Sequence, residues 1–352
     1  MPNAPKISPC PICRSTGGYQ VASYQAGEAA QAFAPRRLAP DRHTKLFRKL
    51  SALWHNEPCV LCRCDSCDFI YSGPFVSGDA EFYHLAFPET SYPRRKWEYD
   101  RTRQALRECK FVEPKLLEIG AGNGAFLKQL LKDGWAPANL QAFEFSSSGQ
   151  AAIERIRVNC LATDLRSIDV NCTFDVVCMF QVLEHLDDYD GIFEVLERIV
   201  RPGGHLFIAT PNGAWIALNE QRHLLLDMPP NHISRWSPTS FAALARRFGW
   251  HLEECELEPP SRVGTAIRVL ADRFIRLVND ETFWEGRTAQ LAMRPGSRVL
   301  ARLIKACAAL TSPACLSAAI RAALVPATPQ NIWAHLTRPA SLDGRSVTAE
   351  NT

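Results

Sequence analysis

An acidic residue followed by alternating glycines is the part of this 352-residue chain with the clearest chemical meaning. Glu118 ends an apolar run, and Gly120, Gly122 and Gly124 follow before a helical repeat of apolar residues. The pattern predicts a buried strand, a tight turn and a helix start. Glycine allows positive φ and leaves bare backbone for a ligand, while a helix start offers unpaired N–H groups. We therefore expect this loop to hold the middle of a nucleotide-like cofactor.

Two cofactor classes fit the spacing of the glycines. The spacing satisfies the dinucleotide fingerprint, because Ala125 is acceptable at its last position. Glu118, at the carboxyl end of the strand, would repel a pyrophosphate but attract the ammonium and sulfonium groups of S-adenosylmethionine. Glu-x-Gly-x-Gly-x-Gly resembles motif I of the class I S-adenosylmethionine-dependent methyltransferases. The resemblance implies S-adenosylmethionine as the cofactor, bound by Glu118 and the three glycines.

A second stretch carries the same resemblance. The apolar run Phe174–Phe180 predicts a strand, and it continues into Gln-Val-Leu-Glu-His-Leu. This passage closely resembles motif IV and the following Leu-Glu-His turn of small-molecule methyltransferases, including the ubiquinone-biosynthesis O-methyltransferases. The resemblance implies that Phe180 and Gln181 line the methionine end of the cofactor. It also implies that His185 faces the sulfonium and the acceptor.

The adenosine end of the cofactor needs further partners. Glu144 follows a short predicted strand, where an acid can accept hydrogen bonds from both ribose hydroxyls. Asp164 is placed to accept the adenine amino group, and Leu165 is placed to cover the ring. Asp169 competes with Asp164 for this role.

The segment around His232 is predicted to cover the acceptor. It resembles the substrate-side segment of bacterial methyltransferases that act on sugars, polysaccharide precursors and other secondary metabolites. Related sugar C-methyltransferases carry Glu-His where this chain has Asn231-His232, which argues against carbanion chemistry. We predict His232 as the general base, since histidine titrates in the right range and the loop can close on substrate. His185 is predicted to be a positioning residue at a helix start, where the dipole disfavours an imidazolium.

Two Cys-x2-Cys pairs predict a structural zinc site made of Cys10, Cys13, Cys64 and Cys67. Thiolates at that spacing reach one tetrahedral ion from two knuckle turns, and four of them leave no open position for catalysis. Cys59 and Cys62 form a competing pair, which we interpret as the strand entering the second knuckle. Reduced cysteines without a metal remain the alternative.

Composition limits the class of protein. A hydrophobic fraction of 46% with 22% charged residues describes a globular chain, and a net charge of +3 does not indicate nucleic-acid binding. Thirteen cysteines, an odd number, fit reduced thiols plus a metal site. No basic-then-apolar leader begins the sequence, and the uncharged run Ala306–Ile320 is too short to span a bilayer. We expect a cytoplasmic protein without a transmembrane segment.

The resemblance implies an α/β fold with a seven-stranded, Rossmann-like, mostly parallel sheet of order 3-2-1-4-5-7-6. Asn331–Leu336 is expected to be its last strand, inserted antiparallel. The predicted parts of the chain are a zinc-knuckle region at 1–80 with a helical insert at 19–57, a lid or linker helix at 81–110, the cofactor-binding domain at 111–340, a helical insert at 263–325 and a disordered tail at 341–352. The helices at 263–325 either pack on the domain or offer a basic, apolar face to a membrane surface or a protein.

The predicted function is methyl transfer from S-adenosylmethionine to a small-molecule acceptor, at an oxygen of a sugar, a polysaccharide precursor or a secondary metabolite. One alternative is an RNA methyltransferase, which would use the basic residues at 94–96 and 36–49. The other is a partner subunit that binds the cofactor without catalysing transfer.

Overall fold

The computed structural model describes residues 8–88, 93–109, 111–161, 173–221, 225–261 and 328–340. The chain divides into two compact units, the first with residues 1–216, 226–258 and 331–352, and the second with 217–225 and 259–330. The predicted helices at 263–325, the tail at 341–352, and Asp164, Leu165 and Asp169 lie outside the described residues. No helix within the described ranges is long and apolar enough to cross a membrane.

The N-terminal part of the first unit combines short strands with helices. Its elements are β1 (Gly18–Tyr24), α1 (Ala26–Phe33), α2 (Pro40–Leu53), β2 (Cys59–Cys64), β3 (Ile70–Gly73), α3 (Ala80–Ala86) and α4 (Trp97–Glu108). The predicted helical character at 44–50 is confirmed by α2, and the predicted strand into the second knuckle is confirmed by β2. The expectation of a helical insert is wrong at its start, because residues 18–24 pair with β2 as a strand.

The helices of the insert are amphipathic and brace α3. Leu46 and Leu50, one turn apart on α2, are fully buried, whereas Phe47, about 100° around the helix from Leu46, is 45% exposed. Phe33 at the end of α1 packs edge-on against Phe82 of α3, with ring centroids 5.3 Å apart. The insert therefore buries its apolar faces against itself and against α3.

The C-terminal part of the first unit contains the larger sheet. The elements along the chain are β4 (Leu116–Ile119), α5 (Ala125–Lys132), β5 (Leu140–Phe143), α6 (Ser147–Glu154), β6 (Asn159–Leu161), β7 (Phe174–Phe180), α7 (Tyr189–Ile199), β8 (Val200–Pro211), α8 (Gly213–Gln221), β9 (Ser234–Arg235), α9 (Pro238–Phe248), β10 (His251–Leu257) and β11 (Asn331–Thr337). The helix α8 crosses from the first unit into the second.

The sheet has the predicted topology. Its strands lie in the order β6-β5-β4-β7-β8-β11-β10, which is 3-2-1-4-5-7-6 when only its own strands are numbered. The strands β4 to β8 pair in parallel, and β11 is antiparallel to both β8 and β10. Both the order and the antiparallel last strand are confirmed.

Alternate residues of each central strand enter two separate cores. Leu117 and Val177 pack with apolar residues of α7, α9 and the knuckle region. Leu116 and Val176 pack on the opposite face with residues of α4 and α5. Because helices cover both faces, the central strands read as nearly continuous apolar runs.

A smaller sheet joins the knuckle region to the rest of the first unit. Its order is β1-β2-β3-β9, so its last strand comes from a segment more than 150 positions further along the chain. Ile70 pairs with Arg235, and Tyr71 pairs with Ser234. This pairing sets the N-terminal sheet directly beside the segment that carries His232.

Candidate active site

The glycine loop between β4 and α5 adopts a conformation that requires glycine. Gly120, Gly122 and Gly124 have φ values of +71°, +53° and +70°. A Cβ at Gly120 would lie 2.4 Å from a methyl carbon of Val182. The Gly120 N–H donates to the carbonyl of Phe143 at 2.8 Å, which holds the loop against the end of β5. The turn predicted from the sequence is therefore present, with bare backbone on the ligand side.

Glu118 at the end of β4 is buried and lacks a complete set of partners. Its exposed fraction is 1%, and its Oε2 atom makes no hydrogen bond within the described structure. Burial raises the pKa of Glu118, while the nearby Lys96 ammonium opposes that shift. A ligand ammonium group would satisfy the unpaired oxygen. This fits the predicted role of Glu118 toward the amino group of S-adenosylmethionine.

Glu144 connects the glycine loop to the start of α6. Its Oε2 accepts from the Gly122 N–H at 2.7 Å, and its Oε1 accepts from the N–H and hydroxyl of Ser146 at 2.8 and 2.6 Å. Glu144 also lines the central cavity. Glu144 therefore organises the loop itself, a role that the sequence did not indicate.

A cavity of about 830 Å³ extends from the glycine loop to α3. Gly120, Glu144, Gln181 and His185 are predicted site residues that line it. Phe180 does not line it, since its ring packs against Tyr99 and Phe126 at centroid distances of 5.2 and 4.9 Å. Four of the nine predicted cofactor and catalytic residues within the described ranges thus line one cavity. Phe180 packs behind its wall, and Glu118, Gly122, Gly124 and His232 do not line it either.

Gln181 has a conformation that is uncommon outside glycine. Its φ is +59°, in the left-handed region, and its N–H donates to the carbonyl of Ala209 at 2.7 Å. Its side-chain amide donates to Glu98 and to Asn331, both at 3.2 Å. Backbone strain of this kind is concentrated at functional sites.

His185 is the histidine that faces the cavity. It ends a short 3-10 turn, Leu183–His185, rather than starting an α-helix, so the predicted helix-dipole effect is wrong. Its Nδ1 donates to the carbonyl of Asn231 at 2.6 Å, and the hydroxyl of Tyr83 lies 2.9 Å from the same nitrogen. Because a carbonyl only accepts, Nδ1 carries the hydrogen and Nε2 keeps a free lone pair. Burial lowers the pKa of His185 to about 3, so the ring is neutral at pH 7.

His232 lies behind His185 and does not line the cavity. The two rings meet edge to face with centroids 4.8 Å apart. Its Nδ1 is 3.3 Å from an oxygen of Asp227, without the angles of a hydrogen bond. Burial, and then the charge of Arg235, lower the pKa of His232 to about 3. The structure thus brings both predicted histidines together, with only His185 on the wall.

Glu184 is an additional buried acid that the sequence analysis did not single out. Neither of its carboxylate oxygens makes a hydrogen bond in the described structure, and burial raises its pKa to about 8. Glu184, His185 and His232 offer ligand atoms that all lie within 4.8 Å of one another. A proton on Glu184 or a divalent cation held by the three residues would each compensate the buried charge.

Tyr83 was also missed, because it is 102 positions from its partner His185.

The predicted zinc ligands Cys10, Cys13, Cys64 and Cys67 form a tight group, named here the cysteine cluster. Their sulfur atoms all lie within 4.8 Å of one another, with 3.6 Å between Cys10 and Cys67 and 3.4 Å between Cys13 and Cys64. Cys59 is not a member, and burial raises its pKa to about 12, which keeps it a thiol. Four converging sulfurs match the donor set of a structural zinc site.

Comparisons with known proteins agree with this description. Residues 91–254 match a family model described as a methyltransferase domain. A ubiquinone biosynthesis O-methyltransferase of Mesorhizobium japonicum is 29% identical over 175 residues, which are 46% of this chain and 67% of the relative. The same enzyme of Proteus mirabilis is 24% identical over 174 residues, with the same shares of 46% and 67%. A solved methyltransferase of Archaeoglobus fulgidus has a TM-score of 0.42 and 15% identity, over 74% of this chain and all of that one.

Residues 91–254 of this chain therefore form a methyltransferase domain, and the chain is similar to S-adenosylmethionine-dependent O-methyltransferases. The family match covers the glycine loop, the strand β7 and the two histidines. The methyltransferase match supports S-adenosylmethionine as the cofactor, which is the cofactor expected from the acid and the glycines after β4.

Proposed function

We propose that this enzyme transfers the methyl group to an oxygen of a small-molecule acceptor, namely a sugar, a polysaccharide precursor or a secondary metabolite. The main support is the cavity of about 830 Å³, which joins the cofactor loop to His185 without interruption and has the size of a small-ligand site. The relatives that are named O-methyltransferases support the choice of oxygen.

Residues on and near the cavity wall have different roles in this reaction. S-adenosylmethionine, when bound, supplies an electrophilic methyl group on a sulfonium. Glu118 and the glycine loop hold the cofactor, and α3 covers the acceptor side so that water is excluded. The free Nε2 lone pair of His185 is positioned to take the proton of an acceptor hydroxyl. Glu184 Oε1 lies 3.9 Å from that nitrogen. When the Glu184 carboxyl group is ionised, its negative charge stabilises the imidazolium of His185.

The assignment of the base is part of this proposal. The sequence favoured His232 as the base and His185 as a positioning residue. The cavity wall favours the opposite assignment, because His185 contacts the cavity and His232 packs behind it. We therefore assign proton removal to His185 and the orientation of its ring to His232 and the Asn231 carbonyl.

Incubation of the purified chain with methyl-labelled S-adenosylmethionine and fractionated cell extracts tests the proposed function. We expect label in the small-molecule fraction and none in RNA. Label in RNA, with binding that weakens steeply as salt increases, would replace the proposal by RNA methylation. Cofactor binding without turnover, reversed by adding a second chain, would identify a partner subunit.

We further propose that the cysteine cluster binds one structural zinc ion. Cys64→Ser is expected to lower the zinc content of the purified protein, since metal binding and local folding are coupled. Cys59→Ser, the matched control in the neighbouring pair, should keep its zinc. Loss of zinc from Cys59→Ser and retention by Cys64→Ser would show that the ligand set is wrong.

A further inference from the structure

The segment at residues 228–236, which carries Asn231 and His232, is hydrogen-bonded to the knuckle sheet along one side. The Ser72 N–H donates to the carbonyl of Ile233 at 2.9 Å, directly after the last residue of β3 that pairs with β9. The Gly78 N–H donates to the carbonyl of Pro230 at 3.0 Å. The N-terminal region therefore contacts this segment on both sides of the two site residues.

The same segment is also hydrogen-bonded to the 3-10 turn after β7 and to the start of α8. The Ile233 N–H donates to the carbonyl of Glu184 at 3.1 Å, and the Gly213 N–H donates to the carbonyl of Trp236 at 2.9 Å. The segment is thus hydrogen-bonded both to the knuckle region and to the turns of the methyltransferase domain. Its position depends on both, and so does the Asn231 carbonyl that accepts from His185.

The cysteine cluster lies at the base of the knuckle support. Phe69, two positions after Cys67, places its ring 4.8 Å from that of Trp236. Arg247 of α9 donates to the carbonyls of Pro11 and Ile12, inside the first knuckle, the second at 3.1 Å. The cluster cysteines belong to the same apolar core as Trp236. The knuckles are therefore packed against the acceptor side, not on a separate domain.

We infer that the metal in the cysteine cluster positions the acceptor side of the active site, an inference that rests on the zinc proposal. The ion holds the second knuckle turn in place, and this turn fixes the position of β3. The 228–236 segment is then held by pairing with β3, which includes Ser72, and by the hydrogen bond from Gly78. The last of these contacts is the hydrogen bond from His185 Nδ1 to the carbonyl of Asn231. Removal of the ion loosens the acceptor side and leaves the glycine loop in place.

Hydrogen exchange of the full chain, measured by mass spectrometry with bound S-adenosylhomocysteine, tests the inference. Removal of zinc with a chelator should speed exchange in the 70–78 and 228–236 peptides by about tenfold or more, because local opening becomes easier. The peptide at 116–124 should not change, and S-adenosylhomocysteine affinity should stay within about twofold, since the glycine loop contacts other elements. Adding zinc back should restore the slow exchange.

Variants give an independent arm of the test. Cys64→Ser should reproduce the effect of the chelator, and Cys160→Ser, a half-buried cysteine of β6 outside the cluster, should not. If Cys64→Ser does not fold, the test rests on the exchange rates measured before and after reversible removal of zinc from the unchanged chain. Unchanged exchange at 228–236 after measured loss of zinc overturns the inference, as does faster exchange that includes 116–124 or a purified chain without zinc. Failure of the zinc-loaded protein to bind S-adenosylhomocysteine instead overturns the methyltransferase function.

Discussion

The cofactor side and the acceptor side of the proposed active site are built in different ways. Glu118 to Gly124 lie on one strand and the turn after it, and Glu144 ends the adjacent strand. On the acceptor side, His185 meets Tyr83 and Asn231 across separations of 102 and 46 positions. The first arrangement is specified by local sequence, whereas the second exists only after two sheets have packed together.

This difference separates two kinds of sensitivity. A change on the cofactor side acts through a backbone conformation that few residues can adopt. A change on the acceptor side acts through supports that lie far from the reacting atoms. Substitutions on each side should therefore separate binding of the cofactor from turnover.

The largest expected effect is on the cofactor side. Gly120→Val should abolish binding of S-adenosylhomocysteine in calorimetry, because the new side chain would meet Val182 and the φ of +71° disfavours a branched residue. Gly134→Ala is the control, since Gly134 also has a positive φ of +96° but no atom within 4 Å of an added Cβ. It should lower stability modestly and leave binding unchanged. Retained binding by Gly120→Val would mean that the loop is not the cofactor site.

The next effect is on turnover. His185→Ala should lower the rate of methyl transfer by about 10²–10⁴, the usual cost of losing a general base. The affinity for S-adenosylhomocysteine should change little. His232→Ala should lower the rate less, because His232 touches His185 and not the cavity. A larger loss for His232→Ala across the pH range would return the role of base to His232.

A smaller effect is expected for the buried acid of the cofactor side. Glu118→Gln keeps the shape but removes the charge that would pair with the cofactor amino group, so affinity should fall by about tenfold, near 1.4 kcal/mol. Glu108→Gln, on an exposed position of α4, is the control. Equal affinity of Glu118→Gln and the unchanged chain would show that Oε2 does not meet the ammonium.

The smallest effect concerns acid. The pKa values of His185 and His232 are lowered from 6.5 to about 3 by burial. The unfolded chain therefore binds more protons below pH 6.5, and stability falls as the pH drops from 6.5 toward 3. We expect the thermal midpoint to fall between pH 7 and pH 5, and exchange at 228–236 to rise before exchange at 116–124. A fall that is the same in His232→Asn would assign the acid sensitivity to other groups.

The sheet order was predictable from the resemblance to a known family, which rests on the local motifs after β4 and β7. Leu116–Ile119 is an apolar run before glycines, and the segment at 331–336 resembles the last strand of that fold. The cysteine cluster was predictable from its two Cys-x2-Cys pairs, since each pair can present two sulfur atoms to one ion. In both cases the recognisable unit is a short motif, although the two cysteine pairs are separated by more than 50 positions.

The acceptor side was less predictable because its contacts are tertiary. Nothing near Tyr83 indicates that its hydroxyl meets His185, and nothing near Ser234 indicates that it pairs with Tyr71. The two-residue strand β9 is too short to give a periodic pattern. Which of the two histidines lines the cavity likewise depends on how the 3-10 turn at 183–185 ends. The sequence motif alone does not specify this.

The shared small sheet has a consequence for how this protein can be recombined or evolve. Three of its four strands precede the methyltransferase sheet in sequence, and the fourth comes from within it. A chain cut between the two regions would lose the neighbours of β9 and expose the otherwise buried ring of Trp236 to water. The N-terminal region is therefore not a module that can be exchanged freely between homologues. Substitutions in β3 and in residues 228–236 should therefore occur together among homologues, as they do at a protein–protein interface.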